Sequence, residues 1–438
     1  MRDALKAVGA ALAVIALCTP LIFWPVDEAQ PTSLELAQVT VPPTVVVPTT
    51  APETTTTTLP PVEPEPEPEP ITTTTTTTEP IDITVAFVGD VLPHESILEA
   101  ARDSGTGSYD FASMLAPVAP YLRGADYTVA NLETRLAGPD KVYTGFPLMN
   151  SPAELAYALK TAGVDLAATA NNHSLDQGWE GVVGTLDRLD GAGLTHVGTY
   201  RSSAERDTPL VVNIQGIKVG FLNYTAGLNG LTPPAEQEEY AVNTLDPDVV
   251  AADAANARIY GADIVIALLH YGDEYEREPS EQQLEVSQEI LSRGVDVIMG
   301  AHPHVVQPIA HVVQYSSWKS TGKYAAYSLG NFLSNQRWRY SDSGIVAYVH
   351  MQKRGLRTVV TGVSYLPVYV QRSAAESPLR YRVLPVLPGV ASQTDVPLTA
   401  REEERMAQVW EELRDVLYRP DENIAPLDPA DIGLRAGP

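Results

Sequence analysis

Val295-Asp-Val-Ile-Met299-Gly300-Ala301-His302-Pro303-His304 decides how this chain is read. An apolar run of strand length ends on a glycine. Two imidazoles then follow two residues apart, with a proline between them that stiffens the backbone. That spacing, held rigid by Pro303, can direct both rings at neighbouring metals. Other stretches repeat the plan of an apolar run ending in polar side chains. Residues 264–269 lead to His270-Tyr-Gly272-Asp273-Glu274-Tyr275, and residues 166–170 lead to Asn171-Asn172-His173-Ser-Leu-Asp176. Residues 127–132 contain Asn131 and are followed by Glu133. Residues 83–89 precede Asp90, with His94 close by; here Gly89 is expected to turn the chain and leave Asp90 at the strand tip. Tyr327-Ser-Leu-Gly330-Asn331-Phe332 adds a further polar strand end.

Between these runs lie helix signals. Ser151-Pro-Ala-Glu154 reads as a capping box opening a helix to about residue 162, and Ser280-Glu-Gln-Gln283 as another opening a helix that stops near Gly294. Residues 179–189 and 248–260 read as helices as well. Strands alternating with helices make an α/β fold, and the strands predicted after residue 324, with fewer helices among them, point to mixed pairing. Open α/β sheets bind ligands at the carboxyl ends of their strands. Of eight histidines, His173, His270, His302 and His304 fall in these end clusters and His94 lies beside one. That concentration predicts one shared polar site. Thr399-Ala-Arg-Glu402 opens a last helix whose Met406, Trp410, Leu413 and Leu417 form an apolar face, and the residues after it read as a tail.

The N-terminus has a different texture. Arg2 and Lys6 precede an uncharged run over residues 7–26, long enough to cross a bilayer, and the charge order places the N-terminus in the cytoplasm and the main domain outside. A cleaved signal peptide, leaving a secreted protein, is the alternative. Residues 29–80 are rich in Thr, Pro and Glu and read as a disordered, extended stalk. The expected organisation is therefore 1–28 anchor, 29–80 stalk, 81–392 main folded domain and 393–438 terminal helix and tail. Net charge is −26, which excludes general nucleic-acid binding. Cys18 is the single cysteine, so disulfides within the chain and multi-cysteine zinc sites are excluded. A metal site must be built from His, Asn and carboxylates.

In their order and content these motifs resemble the poly-γ-glutamate capsule-synthesis (CapA) family, whose domain is related to the calcineurin-like metallophosphoesterases. The resemblance runs from about Thr84 to Asn335. It implies a four-layer α-β-β-α sandwich of metallophosphoesterase type with two divalent ions, Mn, Fe, Zn or Mg. Asp90 and His304 are then expected on one metal and Asn172, His270 and His302 on the other, with Glu133 bridging. His173 matches the histidine that assists the leaving group or stabilises the transition state. His94, Asn131, Asn171, Asp176, Glu274 and Asn331 are expected to support the ligands or meet the substrate. The imidazole usual two residues after the first aspartate is replaced by Leu92; His94 compensates only if its loop curls back. The implied role is in synthesis, export or attachment of a surface polymer such as poly-γ-glutamate, with membrane synthase subunits as partners. The alternatives are a non-catalytic polymer-binding or synthase-partner scaffold and a phosphoesterase of the envelope.

Overall fold

Strand β1 (Ile81–Leu92) is buried at every position from Ile83 onward, because both faces of its sheet are covered. In the computed structural model, which describes residues 79–316, 319–373, 380–387 and 396–434, it is the central strand of the larger of two sheets. The apolar run at 7–26, Cys18 and the stalk up to residue 78 lie outside the described residues. Among the described residues no helix is long and apolar enough to cross a membrane.

The chain first lays down one half of this sheet as parallel strands β1, β2 (Tyr127–Leu132), β3 (Leu166–Ala168) and β4 (Thr195–Val197). It then builds the second sheet from β5 (Leu210–Ile214), β6 (Ile217–Thr225), β7 (Ile264–His270), β8 (Val297–Ala301), β9 (Ile309–Ser316) and β10 (Lys319–Ala326), in the order β5-β6-β7-β8-β10-β9. It returns to the first with β11 (Asn331–Ser334), β12 (Ser343–Arg354), β13 (Arg357–Ser373), β14 (Arg380–Pro385) and β15 (Ile424–Pro426). The result is a mixed α/β fold.

Three apolar layers hold it together. Val85 and Phe87 of β1 meet Val219, Phe221 and Ile266 between the two sheets. Helices α1 (Glu95–Ala101), α2 (Ala112–Leu115), α3 (Ala119–Arg123), α4 (Glu154–Ala162) and α5 (Gly178–Ala192) cover the outer face of the first sheet. After the short α6 (Ser203–Arg206), α7 (Pro247–Ile259) and α8 (Glu281–Ser292) cover the outer face of the second. Helix α9 (Ala400–Leu417) adds Met406, Val409, Leu413 and Leu417 to the core between the sheets. The stretch expected as a tail does not stay apart: β15 pairs in parallel with β13.

Three local expectations are corrected. The chain does not turn at Gly89, since β1 continues to Leu92. A side chain at Gly89 would collide with the carbonyl of Gly330, so the glycine is required by close backbone approach rather than by a turn. At this point β12, paired with β1 as far as Val88, gives way to β11, which pairs Asn331 with Asp90. Second, Ser151 caps no helix. Helix α4 starts at Glu154 without a side-chain cap, and the Ser151 hydroxyl instead meets Thr134 Oγ1 at 3.0 Å. Third, Tyr327-Ser-Leu-Gly330 does not lie on the preceding strand, which ends at Ala326; these residues turn back so that the Leu329 amide reaches the Gly300 carbonyl. The capping boxes at Ser280 and Thr399 form as read.

Candidate metal centre

The carboxyl ends of β1, β2, β7 and β8 meet between the two sheets. From the first sheet come Asp90 and Glu133, both with no exposed surface. Asn131 lies between them and donates its amide to Asp90 Oδ1 at 2.8 Å and to Glu133 Oε2 at 3.2 Å. Second-sheet imidazoles face them. His304 Nδ1 is 2.9 Å from Asp90 Oδ2, which leaves Nε2 pointing toward Glu133 Oε1 at 3.9 Å. His270 Nε2 lies 3.5 Å from the same Oε1 and 3.0 Å from Asn172 Oδ1. The rings of His270 and His302 are 4.8 Å apart.

The loop that presents the last two imidazoles is held in an uncommon backbone conformation. His302 has φ 99° and His304 φ 58°, values that cost a non-glycine residue energy and persist only where packing imposes them. The Pro303 carbonyl is anchored by the Tyr275 amide at 2.8 Å. Asn331 donates its side-chain amide to the His304 carbonyl at 3.3 Å and to that of Ser341 at 2.8 Å. Asn171 works in the same way on the other side: its amide reaches the Leu132 carbonyl at 2.8 Å, and its oxygen accepts from the His173 N–H at 3.2 Å. Asn131, Asn171 and Asn331 thus spend their side-chain amides on carboxylates and carbonyls around the donors.

His173 Nδ1 is 2.6 Å from Asp176 Oδ2, which also accepts the Met149 amide at 2.7 Å. The pair orients the ring, and His173 lines the cavity. Glu274 sits at the exposed mouth, with a carboxylate oxygen within 4.8 Å of His302 and His304 donors. His94 stands apart from the donor groups. Its Nδ1 accepts the Asn335 amide at 3.2 Å, and burial, with His304 nearby, pushes its pKa down to about 4. It is therefore a neutral wall of the cavity, and Leu92, on the same wall, supplies no donor.

Residues 84–336 match the family profile described as "Bacterial capsule synthesis protein PGA_cap", more than half of the chain and all of the donors just described. The chain belongs to the PGA_cap family. "Capsule biosynthesis protein CapA" of Bacillus anthracis is 30% identical over 282 residues, 62% of this chain and 65% of that protein. The chain thus spans less than two thirds of the length of that relative. "PGA biosynthesis protein CapA" of Bacillus subtilis (strain 168) is 28% identical over 278 residues, 62% of this chain and 69% of that protein. Among solved structures, the calcineurin-like phosphoesterase YfkN of Bacillus subtilis covers 77% of this chain and 99% of its own at 14% identity, with a TM-score of 0.41. That score is too low to specify a fold.

Whether this PGA_cap domain suits a divalent cation is a question for its donors. Three overlapping groups place one ligand atom per residue within 4.8 Å: Glu133–His270–His302, Asp90–Glu133–His304 and Glu274–His302–His304. Glu133 Oε1 and His302 Nδ1 are buried polar atoms without hydrogen-bond partners, an arrangement that protein groups alone leave unfavourable. Burial, with Asp90's charge beside it, raises the Glu133 pKa well above the carboxylate range; a cation reverses that penalty. Burial lowers the pKa of His270 and His302, with neighbouring imidazoles adding to it, so both are neutral donors. Oxygen and nitrogen donors of this kind fit a divalent transition metal or Mg.

One charged group at the site was not singled out from the sequence. Arg135 is fully buried; its Nη2 reaches the Leu132 carbonyl at 3.0 Å while Nε and Nη1 have no partner. Its charge acts on Asp176 and Glu133 from behind the site, and burial pushes its own pKa down to about 10. The period-two spacing from Asn131 through Glu133 to Arg135 was the available signal.

Proposed function

We propose that this PGA_cap protein is a metal-dependent hydrolase of the cell envelope that serves synthesis or attachment of a surface polymer. The observation that carries the reading is Glu133 Oε1: it is buried, lacks a hydrogen-bond partner, and stands 3.5 Å from His270 Nε2 and 3.9 Å from His304 Nε2. A carboxylate in that position is stable when a cation completes it. Glu133 with His270, His302 and Asn172 would hold one ion, and Glu133 with Asp90 and His304 a second. A bound divalent ion supplies Lewis acidity toward the scissile group and toward water.

The chain's own residues do the rest. Asn131 keeps both carboxylates oriented by donating to each. Asp176 holds His173 Nδ1, so that Nε2 can give a proton to the departing oxygen or nitrogen as water's oxygen bonds to phosphorus or carbon, the scissile bond breaks and the water's own proton passes to solvent. Relatives named for capsule and PGA biosynthesis support a role in a polymer of that kind. An apolar N-terminal anchor over 7–26 would place the domain outside the membrane, in reach of polymer and of membrane synthase subunits.

The test is elemental analysis of the purified chain, with hydrolysis assays on a phosphodiester and on a γ-glutamyl anilide. Stoichiometric metal is expected. His173→Ala should keep the metal and lower turnover by about 10²–10⁴-fold. A wild-type chain that holds no metal and takes up none on addition sinks the reading. Turnover unchanged in His173→Ala removes that residue from the mechanism.

A further inference from the structure

The cavity beside the donors has a volume of about 800 Å³, the size of a small-molecule site, and Asn172, His173 and His304 form its inner end. Its mouth is apolar and, among the described residues, uncovered. Phe146 is 73% exposed, Trp338 66%, Leu148 50%, Leu231 37% and Tyr275 36%. Exposed apolar side chains scattered singly need no explanation, whereas five around one opening mark a surface that meets an apolar ligand. They come from separate loops: Phe146 and Leu148 precede α4, Leu231 follows β6, Tyr275 follows β7 and Trp338 follows β11. Trp338 and Tyr275 pack edge to face, with ring centroids 6.2 Å apart, and Phe146 stands edge to face with His173.

Charge at the same mouth narrows the ligand further. Arg337 is the basic side chain on this wall other than histidine, and its Nη1 is already given to the Val370 carbonyl at 2.9 Å. Asp176 and Glu274 supply negative charge, and among the described residues no lysine lines the cavity. A chain of many carboxylates would meet like charge and apolar surface along this path, so only one anionic group has a natural place, at the donors.

We infer that the site takes an amphiphile: a phosphoester whose single anionic head sits at the donors and whose apolar chain lies between Leu148 and Trp338. This rests on the metal-centre reading and chooses, within it, a phosphoester with an apolar substituent over a free polyanion.

The full-length chain, loaded with Mn²⁺, is titrated with inorganic phosphate, butyl, hexyl and octyl phosphate, and a γ-linked hexaglutamate. Each added methylene should tighten binding by about two- to fourfold until the chain outgrows the cavity, and the hexaglutamate should bind more weakly than hexyl phosphate. Leu148→Ser/Trp338→Ser, at exposed positions, should flatten the alkyl series to within about twofold. Metal content and inorganic phosphate affinity should stay unchanged in that variant, which also shows that it folds. Metal-dependent phosphate binding with no gain from the alkyl chain overturns the inference and leaves the metal centre standing. So does hexaglutamate binding tighter than hexyl phosphate. A chain that takes up neither metal nor phosphate overturns both.

Discussion

The two sheets bring different chemistry to the same place. From the first come the carboxylates Asp90 and Glu133, the amides Asn131 and Asn172, and one imidazole, His173, already committed to Asp176. From the second come three imidazoles, His270, His302 and His304, and at the mouth Glu274. The second half alone supplies the exposed group Glu274–His302–His304, but each of the other two groups needs Glu133 from the first. Buried carboxylates without a cation repel one another, and buried imidazoles that stay neutral lack an acid to hold the charge they would share. The centre is therefore a property of the junction between the sheets. Glu133 is the residue on which it turns, because it belongs to donor groups that include His270 and His302 on one side and His304 on the other.

That asymmetry is open to a direct test. Glu133→Gln keeps the shape and removes the charge shared by two groups, and should weaken metal binding by about 100-fold or more, above the 10–100-fold typical of residues that orient ligands from behind. Asp90→Asn removes an anionic donor from one group only and should cost less, inside the smaller range. Competition with a chelator of known affinity measures both. Equal losses would mean that Asp90 is as much a ligand as Glu133, and that the first sheet contributes two equivalent anions.

Stability gives a second handle. An ion bound by donors from both sheets binds the folded state alone, so it adds stability by mass action, about 2.7 kcal/mol at a free concentration 100 times its Kd. Chelation should lower the Tm of the domain by a few degrees, and Mn²⁺ should restore it. Glu133→Gln should show the low Tm with or without chelator. A wild-type Tm indifferent to chelation would indicate that the sheets close equally well without the ion.

The same comparison shows what could be read in advance. The second sheet's contribution was legible: His270 and the His302–His304 pair follow apolar runs that do become β7 and β8, and a polar cluster after a buried strand has few structural uses. The first sheet was harder. Gly89 looks like a turn, but its role depends on the Gly330 carbonyl, which arrives from 241 residues along the chain. Ser151-Pro-Ala-Glu154 has the letters of a capping box, yet the hydroxyl is taken by Thr134, a partner outside the motif. Strands β11 and β15 are short and carry little periodicity; pairing with β1 and β13 is what makes them strands. Asn171 and Asn331 left two roles open in sequence, supporting the ligands or meeting the substrate, because an amide serves a ligand or a backbone carbonyl equally well. The apolar mouth was invisible for a related reason, since Phe146, Leu148 and Trp338 sit in loops where single apolar residues are ordinary.

The smallest expected effect lies away from the site, on the strand that leaves β1 just before Asp90. His350 of β12 is held between Thr84 Oγ1 at 3.1 Å and Ser364 Oγ at 2.8 Å, with no cation or metal donor among these partners. Burial lowers its pKa below the ordinary 6.5, opposed in part by the charge of Asp431. The unfolded chain therefore binds a proton here more readily than the folded one. Stability from this residue is present above pH 6.5 and is lost as pH falls below that value toward the folded-state pKa. His350→Gln keeps hydrogen-bonding capacity and removes the titration. The difference in Tm between wild type and variant, measured from pH 8 to pH 5, should be level in the upper part of the range and should change below pH 6.5 in the variant's favour. Buried histidines at the site contribute equally to both proteins and cancel in that difference, provided the two positions do not couple. Parallel curves throughout would show that His350 keeps the same proton affinity folded and unfolded, and would leave acid sensitivity to the junction of the two sheets.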